Sequence, residues 1–226
     1  IINFTIYTVP VIFDQGLKLI GFMTKSVGFL LAILVGCVGA FGQEEPVQPP
    51  TLGIRFFFHD FKTAWYTRNA SLRQVMRNRQ FGRLKDMSPG LAVNYICGLS
   101  KHYDFTTTIT GAFLDYIKRD GSSFGSDHLL LEGDVCIRGK MFSNKKWVSP
   151  FLQIGTGISK YKSYWGAFIP AGVGVQFNLF QEAYLLINAQ YRIAVTETVS
   201  NHYLYSLGLA GSIGRRKAAN KSVLPL

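Results

Sequence analysis

From Trp147 to Gly214, polar and apolar residues trade places at nearly every step. Between Tyr184 and Ile193, the residues Leu185, Ile187, Ala189, Tyr191 and Ile193 share one face, and Asn188, Gln190 and Arg192 share the other. A period of two marks a β-strand whose two faces meet different surroundings. Here the apolar face is the better developed, and the opposite face contains charge. A soluble sandwich turns its charge outward, whereas a membrane barrel faces lipid with apolar side chains and keeps a polar interior.

The same alternation predicts eight strands: Leu52–His59, Gly90–Leu99, Phe105–Tyr116, His128–Phe142, Trp147–Ser159, Phe168–Leu179, Ala183–Ala194 and His202–Gly214. It is clearest in the fourth, where Leu129, Leu131, Val135, Ile137 and Met141 oppose Glu132, Asp134, Arg138 and Lys140. The threonine-rich third strand leaves its faces undecided, and Ser71–Arg77 reads as a short helix within the first connection. Connections after odd strands (Asp60–Ser88, Lys118–Asp127, Lys160–Ala167, Val195–Asn201) are all longer than those after even strands (Ser100–Asp104, Ser143–Lys146, Phe180–Glu182). Long loops at one end and tight turns at the other are the habit of bacterial outer-membrane barrels, and strands of about ten residues suit a tilted bilayer crossing. Tyr161, Tyr164, Trp165 and Phe168 are expected to form one aromatic girdle, and Phe142, Trp147, Phe177 and Tyr184 the other. The expected fold is therefore all-β, an eight-stranded antiparallel up-and-down transmembrane β-barrel.

Composition agrees with many short strands: 23 glycines, 14% aromatic residues and only 16% charged residues in 226. The net charge of +11 suits either nucleic acid or an anionic membrane surface. No nucleic-acid-binding module pattern is present, so nucleic acid is not an expected partner. Cys37, Cys97 and Cys136 have no metal-ligand spacing. Cys97 and Cys136 lie inside predicted strands and are expected as free thiols, a disulfide between them being the alternative.

Met23-Thr24-Lys25-Ser26 opens a short basic region before the apolar run Val27–Val38, and Ala40-Phe41-Gly42 supplies small residues at a cleavage position. Residues 23–42 thus read as a helical signal peptide. Alternatives are a transmembrane helix over Leu19–Phe41 and a lipoprotein box, Leu34–Cys37, that would lipidate Cys37. Residues 1–22 read as an over-extended segment, 43–50 as a lead-in, 51–214 as the barrel and 215–226 as a basic tail.

Met87-Ser88-Pro89-Gly90, Ser149-Pro150-Phe151 and Gly172-Val173-Gly174-Val175-Gln176-Phe177 are glycine-and-aromatic strand patterns. So are Gln190-Tyr191-Arg192-Ile193 and Tyr205-Ser206-Leu207-Gly208. With them, Met87–Gly214 resembles the outer-membrane β-barrel family similar to the transmembrane part of outer membrane protein A. The resemblance implies architecture more than activity. Many relatives in that family continue into a periplasmic peptidoglycan-binding domain; here strand eight is followed by the tail.

An eight-stranded barrel has an interior that side chains fill. Arg55, Asn94, Glu132, Asp134, Arg138, Lys140, Gln153, Gln176, Asn188, Gln190 and Arg192 are expected to point into it. Buried charges require partners. The expected lumen network therefore joins Glu132 and Asp134 to Arg138 or Lys140, or across the lumen to Arg55 and Arg192. Such a network implies a plug; its alternative is a narrow, gated, charge-selective path. His59 and His202 lie on strands that adjoin on closure, both facing inward at the long-loop end. With Asp60, Asp127, His128 and Ser206 nearby in sequence, they raise an outer-membrane lipid-modifying enzyme or a two-histidine metal site as alternatives. No motif fixes a nucleophile, base and orienting acid, so neither catalytic residues, metal ligands nor a cofactor are expected. Arg73, Arg77 and Arg79 in the basic first loop are candidates for contact with lipopolysaccharide phosphate. The remaining expected partners are outer-membrane lipid and, during biogenesis, the barrel-assembly machinery, with the protein a monomer in a Gram-negative outer membrane. The expected role is structural, in envelope integrity or surface interaction.

Overall fold

The computed structural model describes residues 47–119, 121–143, 146–179 and 183–213. The signal peptide, Cys37, residues 1–22 and the tail 215–226 lie outside them. Eight strands run β1 (Thr51–Asp60), β2 (Ser88–Gly98), β3 (Tyr103–Leu114), β4 (His128–Lys140), β5 (Val148–Tyr161), β6 (Tyr164–Leu179), β7 (Ala183–Ala194) and β8 (His202–Ser212). Each pairs antiparallel with its neighbour in sequence. β1 closes the barrel against β8 in a register running from Thr51 opposite Ser212 to Asp60 opposite Tyr203. Closure leaves no sheet edge, so every strand has partners on both sides.

The two faces are inverted relative to a soluble protein. Ile54, Leu91, Ile109, Leu152 and Leu209 point outward and are each more than half exposed, whereas Arg138 and Arg192 point inward and are at most 1% exposed. A wall of aliphatic side chains around a charged interior is the arrangement for lipid outside and a sealed lumen within. Among the described residues no helix is long and apolar enough to cross a membrane, which says nothing of a crossing by strands.

The first connection folds on itself as α1 (Phe61–Asn69), α2 (Leu72–Arg77) and a 3-10 turn, Leu84–Asp86. Asp60 ends β1 and caps α1, its Oδ1 accepting from Thr63 N at 2.8 Å. Ser71 caps α2, with Gln74 N donating to Ser71 Oγ at 3.3 Å. N-cap side chains of this kind satisfy donors that a first helical turn leaves free. α2 lies where the sequence places a short helix; α1 was not foreseen.

Two expectations are overturned. The Lys160–Ala167 loop does not exist: β5 and β6 pair up to Tyr161 opposite Tyr164, and only Lys162 and Ser163 turn the chain. This extra pairing sets Lys160 beside Trp165, with Nζ 5.0 Å from the ring centroid. Tyr161 also finds partners for its hydroxyl in Leu114 O and Ser126 O, both at 3.1 Å. Lys162 adopts a φ of 53°, which tight hairpins of this length demand. The long-loop rule therefore fails at β5–β6. The girdle assignment fails at three residues, because Tyr161, Phe168 and Tyr184 follow strand parity into the interior. Trp165, Phe142 and Trp147 are exposed, and Tyr164, though exposed, shares the parity of Phe168 and lines a cavity among the loops.

Candidate functional site

The lumen contains two clusters of charge stacked between two apolar layers. Strand parity positions both. On β4 the inward residues Glu132, Asp134, Arg138 and Lys140 form one row, the first pair nearer the loop end and the second nearer the turn end. All eleven residues expected in the lumen are buried.

In the cluster nearer the loop end, Arg192 of β7 bridges both acids of β4. Its Nη1 donates to Glu132 Oε2, and its Nη2 donates to Asp134 Oδ2 at 2.9 Å. The guanidinium lies 4.8 Å from the Phe168 ring centroid, a cation–π contact inside the barrel. His59 of β1 and His202 of β8 stand edge to face, 4.9 Å between ring centroids, each with Nε2 near Glu132 Oε2 at 3.6 and 3.5 Å. Arg55 is buried yet forms no ion pair among the described residues, and its Nε has no hydrogen-bond partner. Gly208, opposite Arg55 on β8, makes room for it: a Cβ there would overlap Arg55 Cγ.

The cluster nearer the turn end differs from the expected network. Glu132 and Asp134 do not reach Arg138 or Lys140. Those two cations instead share Asp104 of β3, Arg138 Nη2 at 2.6 Å from Oδ2 and Lys140 Nζ at 2.9 Å from Oδ1. The physical reason is register: Asp104 is the direct cross-strand neighbour of Arg138. The sequence places Asp104 in the preceding turn, but β3 begins at Tyr103 and its inward parity includes Asp104. Gln48, from the lead-in, also enters the barrel. Its Oε1 accepts from Arg138 Nη2 at 3.3 Å and from Lys140 Nζ at 3.1 Å. No alternation marks Gln48, so only the inward turn of the proline-bearing lead-in reveals it.

Apolar layers close both ends. Toward the turns lie Ile96, Phe151, Tyr184, Leu186 and Ala210. Toward the loops Phe57, Phe61, Leu114, Tyr116 and Leu204 form a second layer. Phe61, the first residue of α1, sits 4.5 Å from the His202 ring and 4.9 Å from Tyr116. Burial pushes the Tyr116 hydroxyl well above its ordinary pKa, and its oxygen accepts from Ser200 N at 2.7 Å. Above this layer a cavity of about 370 Å³ opens among the loops, lined by Tyr116, Lys118, Arg119, Phe124, Tyr161 and Tyr164 among others.

Of the residues weighed for catalysis, His59 and His202 come together, but Asp127 is exposed and His128 donates to or accepts from Ser126 Oγ at 3.1 Å, outside the lumen pair. Asp60 is committed to capping α1, and Ser206 Oγ has no hydrogen-bond partner. Cys97 and Cys136 are buried on β2 and β4, with β3 between them. Arg73, Arg77 and Arg79 are exposed in and just after α2.

No protein-family model matches the chain, and no curated protein matches it. Several solved structures are similar to it. The N-terminal β-barrel domain of Pseudomonas aeruginosa OprF is 7% identical, with 71% of this chain and 96% of that one covered, at a TM-score of 0.45. The attachment invasion locus protein Ail of Yersinia pestis is 13% identical over 73% and 98%, at 0.46. The outer membrane protein OprG of Pseudomonas aeruginosa is 9% identical over 73% and 96%, at 0.47. Identities this low are a likeness of architecture and say nothing about role.

Proposed function

We propose that this protein is a closed-lumen barrel of the Gram-negative outer membrane, serving envelope integrity or surface interaction and performing no chemistry of its own. The observation that carries this reading is the occupied lumen: an apolar cluster toward each end and ion-paired charge between them. Water-filled passage would require those layers to part and the charge pairs to separate. The histidine pair lies beside the Phe61 ring, among buried side chains of the lumen. In planar bilayers the purified barrel is expected to give no reproducible conductance steps. Steady conductance that disappears in Arg192→Gln would replace the plug with a charge-selective channel. A deletion strain with altered lipid composition would favour the enzyme instead.

The surface role rests on the first connection. α2 presents Arg73 and Arg77 beside the exposed apolar side chains of Leu72 and Met76. Phe81 packs 6.0 Å from Tyr203 on the outward face of β8, which brings this loop against the outer wall where Tyr191 and Tyr203 pair. Guanidinium groups beside apolar anchors at a membrane rim suit lipopolysaccharide phosphate. Replacing Arg73, Arg77 and Arg79 together by Gln is expected to weaken lipopolysaccharide binding severalfold while leaving heat-modifiable migration unchanged; unaltered binding would remove this role.

A further inference from the structure

We propose that His59, His202 and Glu132 form a structural binding site for a divalent transition metal of the zinc class, a cross-link between β1, β8 and β4 inside the lumen. The ligand atoms of these three buried residues all lie within 4.8 Å of one another. The two His–Glu separations, 3.6 and 3.5 Å, approach the spacing of about 3.3 Å that bonds near 2.0–2.1 Å impose between ligands on a tetrahedral zinc.

Hydrogen bonding supplies an independent reason. His202 Nδ1 lies 3.0 Å from Ser200 O. A carbonyl only accepts, so Nδ1 carries a proton and the Nε2 of a neutral ring presents its lone pair toward the Glu132 carboxylate. Two acceptors then face each other. Around the same point His202 Nε2, Glu132 Oε1 and both ring nitrogens of His59 are buried without hydrogen-bond partners. Unpartnered polar atoms are costly in an interior, so electron-pair donors converging on one point call for a cation. A single proton serves one donor pair and leaves the other histidine unmatched. Protonating both histidines would crowd two imidazolium groups and Arg192 around one carboxylate. A divalent metal takes all three donors at once.

The donor set and its surroundings fit that class. Two imidazoles and one carboxylate suit zinc and its neighbours rather than calcium or magnesium, which prefer oxygen. The Nδ1–H to backbone carbonyl bond of His202 is the usual orienting contact behind a ligating Nε2. Glu132 Oε2, the oxygen that both imidazoles approach, also accepts from Arg192, which is shared with Asp134, while Glu132 Oε1 has no hydrogen-bond partner, so the carboxylate keeps lone pairs for a second cation. The Phe61 ring, 4.5 Å from His202 and 5.7 Å from His59, covers the pair. The site is thus enclosed, and its role is to tie three strands together.

The test is metal counting on the full chain refolded into detergent with Zn2+ and then freed of excess metal. About one Zn2+ per folded chain is expected, falling at least tenfold in His59→Ala/His202→Ala, with heat-modifiable migration showing that the variant folds. Absence of Zn2+ from the folded wild type would overturn the site, as would undiminished binding in the double variant. If the double variant does not fold, Co2+ loading of the wild type decides: intense visible bands of a tetrahedral nitrogen–oxygen site support it, and the weak octahedral spectrum overturns it. Metal content is read independently of conductance, so failure here leaves the plugged lumen standing.

Discussion

Near the turn end of the lumen one carboxylate, Asp104, holds two cations, whereas near the loop end one guanidinium, Arg192, holds two carboxylates. Among the ion-paired groups the surplus has opposite sign in the two places, and each neighbourhood answers it differently. Beside Asp104, the Gln48 side chain contributes a neutral oxygen that accepts from both Arg138 and Lys140. Beside Arg192, the neighbours are two imidazoles, which bring further acceptors unless they bind a proton or a metal. The cation-rich cluster is thus completed by the chain itself, and the acceptor-rich one invites something from outside. Paired charge in one lumen does not mean equivalent charge: what a cluster lacks determines what it recruits.

The largest effect is expected where that bridge is removed. Arg192→Leu leaves Glu132 and Asp134 buried without their shared cation, a loss of about 3–5 kcal/mol. Urea unfolding in phospholipid vesicles measures it. A triple variant that also makes Glu132 and Asp134 apolar is expected to recover most of the loss, because neither carboxylate is then left buried without its cation. A loss under about 1 kcal/mol in the single variant would mean that water reaches these carboxylates and that the lumen is not sealed.

Asp104→Asn probes the opposite cluster and is expected to cost less, about 2–3 kcal/mol, since an amide oxygen keeps part of the hydrogen bonding while the charge is lost. Gln48 remains as an acceptor for both cations. Arg192→Leu and Asp104→Asn together should be close to additive, because no ion pair joins the two clusters among the described residues. Strong coupling between them in the same unfolding assay would dissolve the distinction between the clusters.

Much of this lumen is legible in the sequence, because strand parity is a local property. Glu132, Asp134, Arg138 and Lys140 alternate with aliphatic residues, so their shared face follows at once. Asp104 is hidden by the polar run Ser100-Lys101-His102, which reads as a turn, although it shares the parity of Leu114, Ala112 and Thr110. At Tyr161, Phe168 and Tyr184 aromatic character near a strand end suggests a girdle, but parity is the stronger constraint and turns them inward. The β5–β6 turn carries neither glycine nor asparagine at Lys162-Ser163, so nothing local announced it. Adjacency of His59 and His202 follows from barrel closure. Their meeting with Glu132, from a strand across the barrel, depends on strand stagger and tilt, which no local pattern encodes.

The smallest effect is expected at an ion pair in the first connection whose lysine is exposed. Lys62 Nζ donates to Asp86 Oδ1 at 2.8 Å in the first connection, outside the barrel wall. That hydrogen bond, with Lys62, Arg83 and Lys85 adding positive potential, holds the Asp86 carboxyl below its ordinary pKa. A carboxylate whose folded pKa is depressed stabilises the fold above its unfolded pKa and loses that contribution as pH falls through the folded value. Lys62→Met is therefore expected to loosen the loop at neutral pH by less than about 1 kcal/mol, read as faster amide exchange over Phe61–Asp86. The difference from wild type should shrink as pH drops below about 4 and with added salt, unlike the effect of Arg192→Leu, which is buried from ions. A difference that persists unchanged at low pH would show that Lys62 acts through packing of its stem, and the ion pair would no longer serve as the exposed counterpart to the buried clusters.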